Sequence, residues 1–149
     1  MKRILIFLTM SLVVCLQPVV ADGGGGGSTK QPDPIPAKIT SLIESEQYDR
    51  AEKELKAFVK KEKKNADAWN WLGYSQRNIG DLDGSLASYK TALRIDRKHL
   101  GANEYLGELY IMLGDIKKAK QQLKKLAKYC GDCEQHKELA EVIKNAEAG

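Results

Sequence analysis

The 149-residue sequence is poor in the groups that carry out chemistry. Its two histidines, His99 and His136, have no partners at catalytic spacing. There is no Ser/His/Asp pattern and no paired-carboxylate signature, and the glycine run at 23–27 precedes no helix start that could hold a phosphate. These absences exclude the common hydrolytic and nucleotide-dependent designs, so no enzyme, cofactor or metal is expected. Long hydrophobic runs are also missing: beyond residue 21 nothing approaches the roughly 18 apolar residues of a membrane span. Charge of one sign is scarce too. The formal net charge is +4, and Lys2 and Arg3 supply half of it, which leaves too little to indicate nucleic acid. The apolar share of 42% drops to about 37% once residues 1–21 are set aside, and about a third of the remainder is charged. That balance points to a thin or elongated core. The length allows one ordinary domain and excludes a large multidomain enzyme.

Residues 1–21 read as a signal peptide. Lys2-Arg3 forms a short positive start, Ile4–Leu16 is apolar apart from Thr9 and Ser11, and Pro18 breaks the run. Val19-Val20-Ala21 then offers small or medium residues for cleavage between Ala21 and Asp22. The expected destination is a bacterial periplasm or the exterior. A lipid anchor at Cys15 would need a small residue before it, and Val14 stands there, so lipidation is the weaker reading. Residues 22–34 (DGGGGGSTKQPDP) form a disordered Gly/Pro-rich linker, because five glycines populate too many backbone states and Pro32 and Pro34 discourage helix before residue 35.

What remains, residues 35–149, repeats with a period of 34. Leu72-Gly73 meets Leu106-Gly107, Ile79-Gly80-Asp81 meets Leu113-Gly114-Asp115, and Ser85 meets Ala119. A shift the other way finds Gln47-Tyr48, Ala51, Leu55, Phe58 and Val59. Repeats are expected over about 32–65, 66–99 and 100–133. First helices fall near 35–45, 66–79 and 100–113, and second helices near 48–62, 82–96 and 116–129. Gly73 and Gly107 stand inside helices at a cost near 1 kcal/mol against alanine, which implies a partner helix crossing close by, with Ala51 and Ala119 as the matching small residues. Gly80 and Gly114 should end first helices in a left-handed conformation. A seventh helix near 134–147 carries Leu139, Val142 and Ile143 on one face and suits the polar cap that a repeat stack needs.

These residues resemble the tetratricopeptide repeat family. Residues 66–99 match its pattern through Trp69, Leu72-Gly73, Tyr89 and Ala92, with Gln76 in place of a tyrosine, Ser85 of an alanine and Arg97 of a proline. Residues 100–133 match through Leu106-Gly107, Tyr110 and Ala119, with Asn103 replacing the tryptophan. The first repeat keeps mainly its second-helix half. The resemblance implies an all-α, helix-turn-helix repeat solenoid of three repeats plus a C-terminal capping helix, of the kind found in small exported bacterial proteins. It also implies a concave groove, lined by first helices, that holds a peptide or helix of a partner protein. Carried onto this chain, the groove positions are Asp67, Asn70, Tyr74, Arg77 and Asn78, then Gly101, Glu104, Glu108, Ile111 and Met112. Members that bind chaperone C-terminal carboxylates use basic and amide residues there; with Glu104 and Glu108 instead, that clamp is absent.

Glu104 and Glu108 are like charges four apart, which costs a few tenths of a kcal/mol on a helix. Two explanations stand. Glu104 could draw on the helix N-terminus while Glu108 pairs with Arg77, or the partner could be basic. Lysines crowd the second helices, including Lys53, Lys56, Lys60, Lys117, Lys118, Lys124, Lys125 and Lys128, and read as a solvated outer face.

Cys130-Gly131-Asp132-Cys133 is the sharpest local motif. Haem attachment would need histidine where Glu134 stands, and a thioredoxin-like site would need a βαβ setting. A structural disulfide closing the turn before the cap suits an oxidising compartment. A thiol-redox or metal-handling role, with His136 as a third zinc ligand, and a pair of free thiols stay open beside it. The primary expectation is a non-catalytic binding module; the alternative is an envelope protein working through Cys130 and Cys133.

Overall fold

The computed structural model describes residues 32–148. The expected signal peptide with its Ala21/Asp22 cleavage point, Cys15 and the linker up to residue 31 lie outside the described residues. Residues 32–34, expected to belong to the disordered linker, are instead tied to the repeats: the Asp33 carbonyl accepts from Asn65 Nδ2 at 2.7 Å and its N–H donates to Glu62 at 3.3 Å. Seven helices follow one another with no strand among the described residues: α1 (Ala37–Glu44), α2 (Tyr48–Lys61), α3 (Ala66–Asn78), α4 (Leu82–Ile95), α5 (Leu100–Met112), α6 (Ile116–Cys130) and α7 (Glu134–Ala148). None is long and apolar enough to cross a membrane. The fold is an all-α helical-repeat solenoid in which each helix packs on the next, and α5 also touches α3 and α7.

The 34-residue period is written into the helix boundaries. Second helices begin at Tyr48, Leu82 and Ile116, and later first helices begin at Ala66, Leu100 and Glu134. The starts are fixed by caps at matching places. Asn65 and His99 accept from the backbone N–H of Ala68 and Ala102, and Asp81 and Asp115 accept from Gly84 and Lys118. His99 therefore has a structural role, in which Nδ1 caps α5 while Nε2 lies 2.9 Å from the Asp67 carboxylate. The stops also repeat. Gly80 and Gly114 have φ of 87° and 75°, as expected, and the same position in the first repeat is Glu46 with φ of 56°. A side chain in that region costs roughly 1–2 kcal/mol, a penalty absent from the later two turns. The first helix starts at Ala37 rather than 35, behind Pro36, with no side chain to cap it.

Two apolar clusters sit along the stack. Ile39, Leu42, Ala51, Leu55, Val59, Ala68 and Leu72 fill the first; Tyr89, Leu106, Leu109, Tyr110, Ala119, Leu126, Leu139 and Ile143 fill the second. The α3–α4 hairpin is joined by buried polar contacts. Ser85 Oγ donates to the Gly73 carbonyl at 2.8 Å and Ser88 Oγ to Gln76 Oε1 at 2.6 Å, so the residues that replace the usual alanine and tyrosine find partners.

The close approaches at Gly73 and Gly107 exist, and the nearest side chains come from α4 and α7. A Cβ on Gly73 would stand 2.7 Å from the Tyr89 ring, and one on Gly107 would stand 2.4 Å from Leu139. Tyr89 of α4 and Leu139 of the cap are the side chains nearest those two positions, and the small residues Ala51 and Ala119 are fully buried.

Candidate functional site

Three helices, α3, α5 and α7, form one wall each of an open groove. Their common side follows from the register: Glu134 begins α7 where a fourth repeat would start, so the cap is the first half of a further repeat and adds its face to the same surface. The groove holds two adjoining hollows of about 510 and about 490 Å3. The first is lined by Tyr74, Arg77, Glu104, Tyr105, Glu108, Glu138, Glu141 and Val142; the second by Arg77, Asn78, Glu108, Ile111, Met112 and Val142.

An aromatic row forms one side. Tyr48, Tyr74 and Tyr105 come from successive repeats, with ring centroids 5.7 Å and 5.2 Å apart, and Trp71 meets Tyr74 edge-on at 5.6 Å. A hydrogen bond donated by its own hydroxyl to Tyr74, together with burial, pushes the Tyr48 phenol up to about 12, and burial does the same for Tyr105. Tyr48 and Tyr105 stay neutral, and the row offers aromatic faces and hydroxyls. The Arg77 guanidinium lies 5.4 Å from the ring centroids of both Tyr74 and Tyr105 and pairs with the Glu108 carboxylate. The expected Arg77–Glu108 pair is therefore present, and its two charges cancel inside the groove.

Glu104 behaves differently. Its side chain is buried, only 4% exposed, and faces Glu138 of the cap. Burial pushes its carboxyl up to about 9, with a hydrogen bond to Glu138 and the charges of Glu138 and Glu108 acting in the same direction. Glu104 thus carries a proton near neutrality, so the like-charge cost anticipated between it and Glu108 is avoided. The helix N-terminus is not what settles it; carboxylates surround it instead. Glu138 and Glu141 are exposed on α7 and make no ion pair among the described residues, leaving the groove acidic on its cap side.

Of the groove residues expected from sequence, Tyr74, Arg77, Asn78, Glu104, Glu108, Ile111 and Met112 line the hollows. Asn70 does not. It is 5% exposed, with its amide nitrogen turned toward Gly101 at the α3–α5 junction and its carbonyl oxygen without a hydrogen-bond partner. Asp67 is committed to His99. Sequence reasoning missed Tyr105, Glu138, Glu141 and Val142. The period of 34 held the signal for the last three, because it places α7 among the first helices.

Cys130 and Cys133 are joined in a disulfide across the α6–α7 turn, with Cα atoms 5.6 Å apart. Cys130, Cys133 and His136 do not converge on a metal-sized site, and no other group of three such ligands does so among the described residues.

Comparison with known proteins agrees with this architecture. Two family models described as "Tetratricopeptide repeat" match residues 37–99 and 79–142, which together span most of the chain. A curated relative, Tetratricopeptide repeat protein 1 of Schizosaccharomyces pombe, is 28% identical over 68 residues, which is 46% of this chain but only 6% of that protein. Among solved structures, the Yersinia enterocolitica type III secretion chaperone SycD, in complex with a peptide of the translocator YopD, superposes with a TM-score of 0.65 at 20% identity, covering 74% of this chain and 86% of that one. The first repeat domain of Spaghetti (RPAP3), bound to the HSP90 peptide SRMEEVD, gives 0.67 at 13% identity, covering 75% and 89%. A repeat protein from Parabacteroides merdae gives 0.65 at 17% identity, with 74% of this chain matching 43% of that one. At these identities the likeness is one of fold.

Proposed function

Since the chain belongs to the tetratricopeptide repeat family, we propose that it is a non-catalytic interaction module whose α3–α5–α7 groove holds a peptide or helix of a partner protein. The observation that carries this reading is the groove itself: a tyrosine row on one side, carboxylates of the cap on the other and the exposed Met112 at one end. Aromatic and thioether groups give adaptable contact area, while the acids select charge. SycD and the Spaghetti domain, which share the fold, are seen with peptides.

The partner segment proposed here is basic. Arg77 is already neutralised by Glu108, so an entering Lys or Arg side chain meets Glu138 and Glu141 unopposed and draws the proton from Glu104. A peptide as acidic as SRMEEVD is disfavoured by the same groups. Export to a bacterial envelope or beyond is part of the proposal and rests on the residue pattern of 1–21. It is tested by the N-terminal mass of the chain recovered from the envelope and the medium.

The groove is tested at its rim, because Tyr74 and Arg77 also hold the helices together. Affinity capture from an envelope extract with the wild-type chain should recover a partner that Glu138→Lys/Glu141→Lys loses at least tenfold, with unchanged helical circular dichroism. Recovery of the same partner at undiminished yield by that variant would show that the groove is not the site.

A further inference from the structure

The opposite side of the stack holds a second concavity, a crevice of about 700 Å3 between α4 and α6. It is larger than either hollow of the groove and of the size that takes a ligand side chain or short segment. Leu93, Leu106 and Tyr110 form an apolar floor. Four cations rim it, Lys90 and Arg94 on α4 and Lys118 and Lys125 on α6, and no carboxylate lines it. Lys118 is held by Asp115 at 2.5 Å and stands over the Tyr110 ring at 5.4 Å. The other three have no carboxylate partner among the described residues: Arg94 donates to Thr91 at 2.7 Å and Lys125 to Gln122 at 3.1 Å, both neutral.

We propose that this crevice is a docking site for an acidic amphipathic helix of a partner protein, independent of the groove. Charge complementarity and spacing both favour that occupant. Lys118 and Lys125 are seven residues apart on one helix, about 10.5 Å along its axis, and Lys90 and Arg94 are four apart, about 6 Å. A single anionic headgroup cannot reach both ends of such a rim. A helix with carboxylates at positions i and i+7 matches the longer spacing and places an apolar residue at i+3 or i+4 over the floor. Screening by salt should weaken it, since the cations are exposed.

The test uses the full chain and fluorescein-labelled synthetic helices carrying either Glu or Lys at i and i+7 around a leucine, read by anisotropy at low and high salt. The acidic helix should bind in a salt-dependent manner, and Lys90→Glu/Lys125→Glu should weaken it at least tenfold and instead accept the lysine helix. Met112→Glu, in the groove, should leave binding unchanged, which separates this site from the proposed function. Lys90→Gln/Lys125→Gln serves as the milder variant, expected to lose the acidic helix without gaining the basic one. The proposal is overturned if the acidic helix binds no better than the lysine helix, if the lysine substitutions have no effect, or if the same lysines retain phosphatidylglycerol vesicles while the acidic helix is not bound.

Discussion

Glu104 shows how one residue can couple stability to pH. An unfolded glutamate releases its proton near pH 4.3, whereas in the folded chain burial and the Glu138 carboxyl hold it to about pH 9. Between those values the folded state binds a proton that the unfolded state has lost, so stability falls as pH rises. The contribution is complete below about pH 4.3 and is gone once the pH has passed about 9. Glu104→Gln keeps the shape and hydrogen-bonding capacity without an ionisable proton. It should raise the unfolding free energy read from urea titration near pH 8 by about 1–2 kcal/mol, and give no gain near pH 4. Equal shifts at both pH values would mean that Glu104 does not carry the proton. Its like-charge spacing to Glu108 is plain in the sequence, but its actual neighbour lies 34 positions away on α7, and that proximity becomes visible only when the helices are stacked.

Among the elements, α7 changes most between sequence and structure. Its boundaries and apolar face are legible from Leu139, Val142 and Ile143, and a cap is what that face suggests. Its second role, walling the groove with Glu138, Glu141 and Val142, depends on which side of the helix meets α5. That orientation is set by Leu139, which is fully buried and seated on the bare backbone of Gly107. Gly107→Ala should therefore loosen the cap by about 1–3 kcal/mol through overpacking, and Leu139→Ala by about 2–5 kcal/mol through a cavity. Because the second change makes room for the first, the double variant should be more stable than the sum of the two losses predicts. A double-mutant cycle from urea unfolding checks this, and simple additivity would mean that the contact does not seat α7. The caps at Asn65, His99, Asp81 and Asp115 are hidden for the opposite reason. They are short-range features at a fixed period, but histidine is an unusual capping residue, and a histidine without catalytic partners does not by itself announce a helix start.

At the scale of the whole molecule, a small apolar share becomes a division of labour along the stack. The apolar clusters gather around α1–α3 and around α4–α7, and the α3–α4 hairpin between them combines the Tyr89 ring against Gly73 with the polar contacts of Gln76, Ser85 and Ser88. A weak net charge likewise resolves into an acidic groove on the first-helix side and a basic crevice on the second-helix side. In a repeat stack, stability is the sum of each unit and its contacts with neighbours, so unequal ends unfold unequally. The N-terminal end is the weaker one: α1 has eight residues, packs mainly on α2, lacks a side-chain N-cap and leads into Glu46 at positive φ. The C-terminal end has a fifteen-residue cap, a buried leucine contact and a disulfide whose short loop adds about 2 kcal/mol by chain entropy. Native-state hydrogen exchange should accordingly give α1 amides lower protection than those of α5, by a factor of ten or more, with α2 between them. Uniform protection from α1 to α7 would instead mean that the polar α3–α4 contacts couple the two clusters into one cooperative unit.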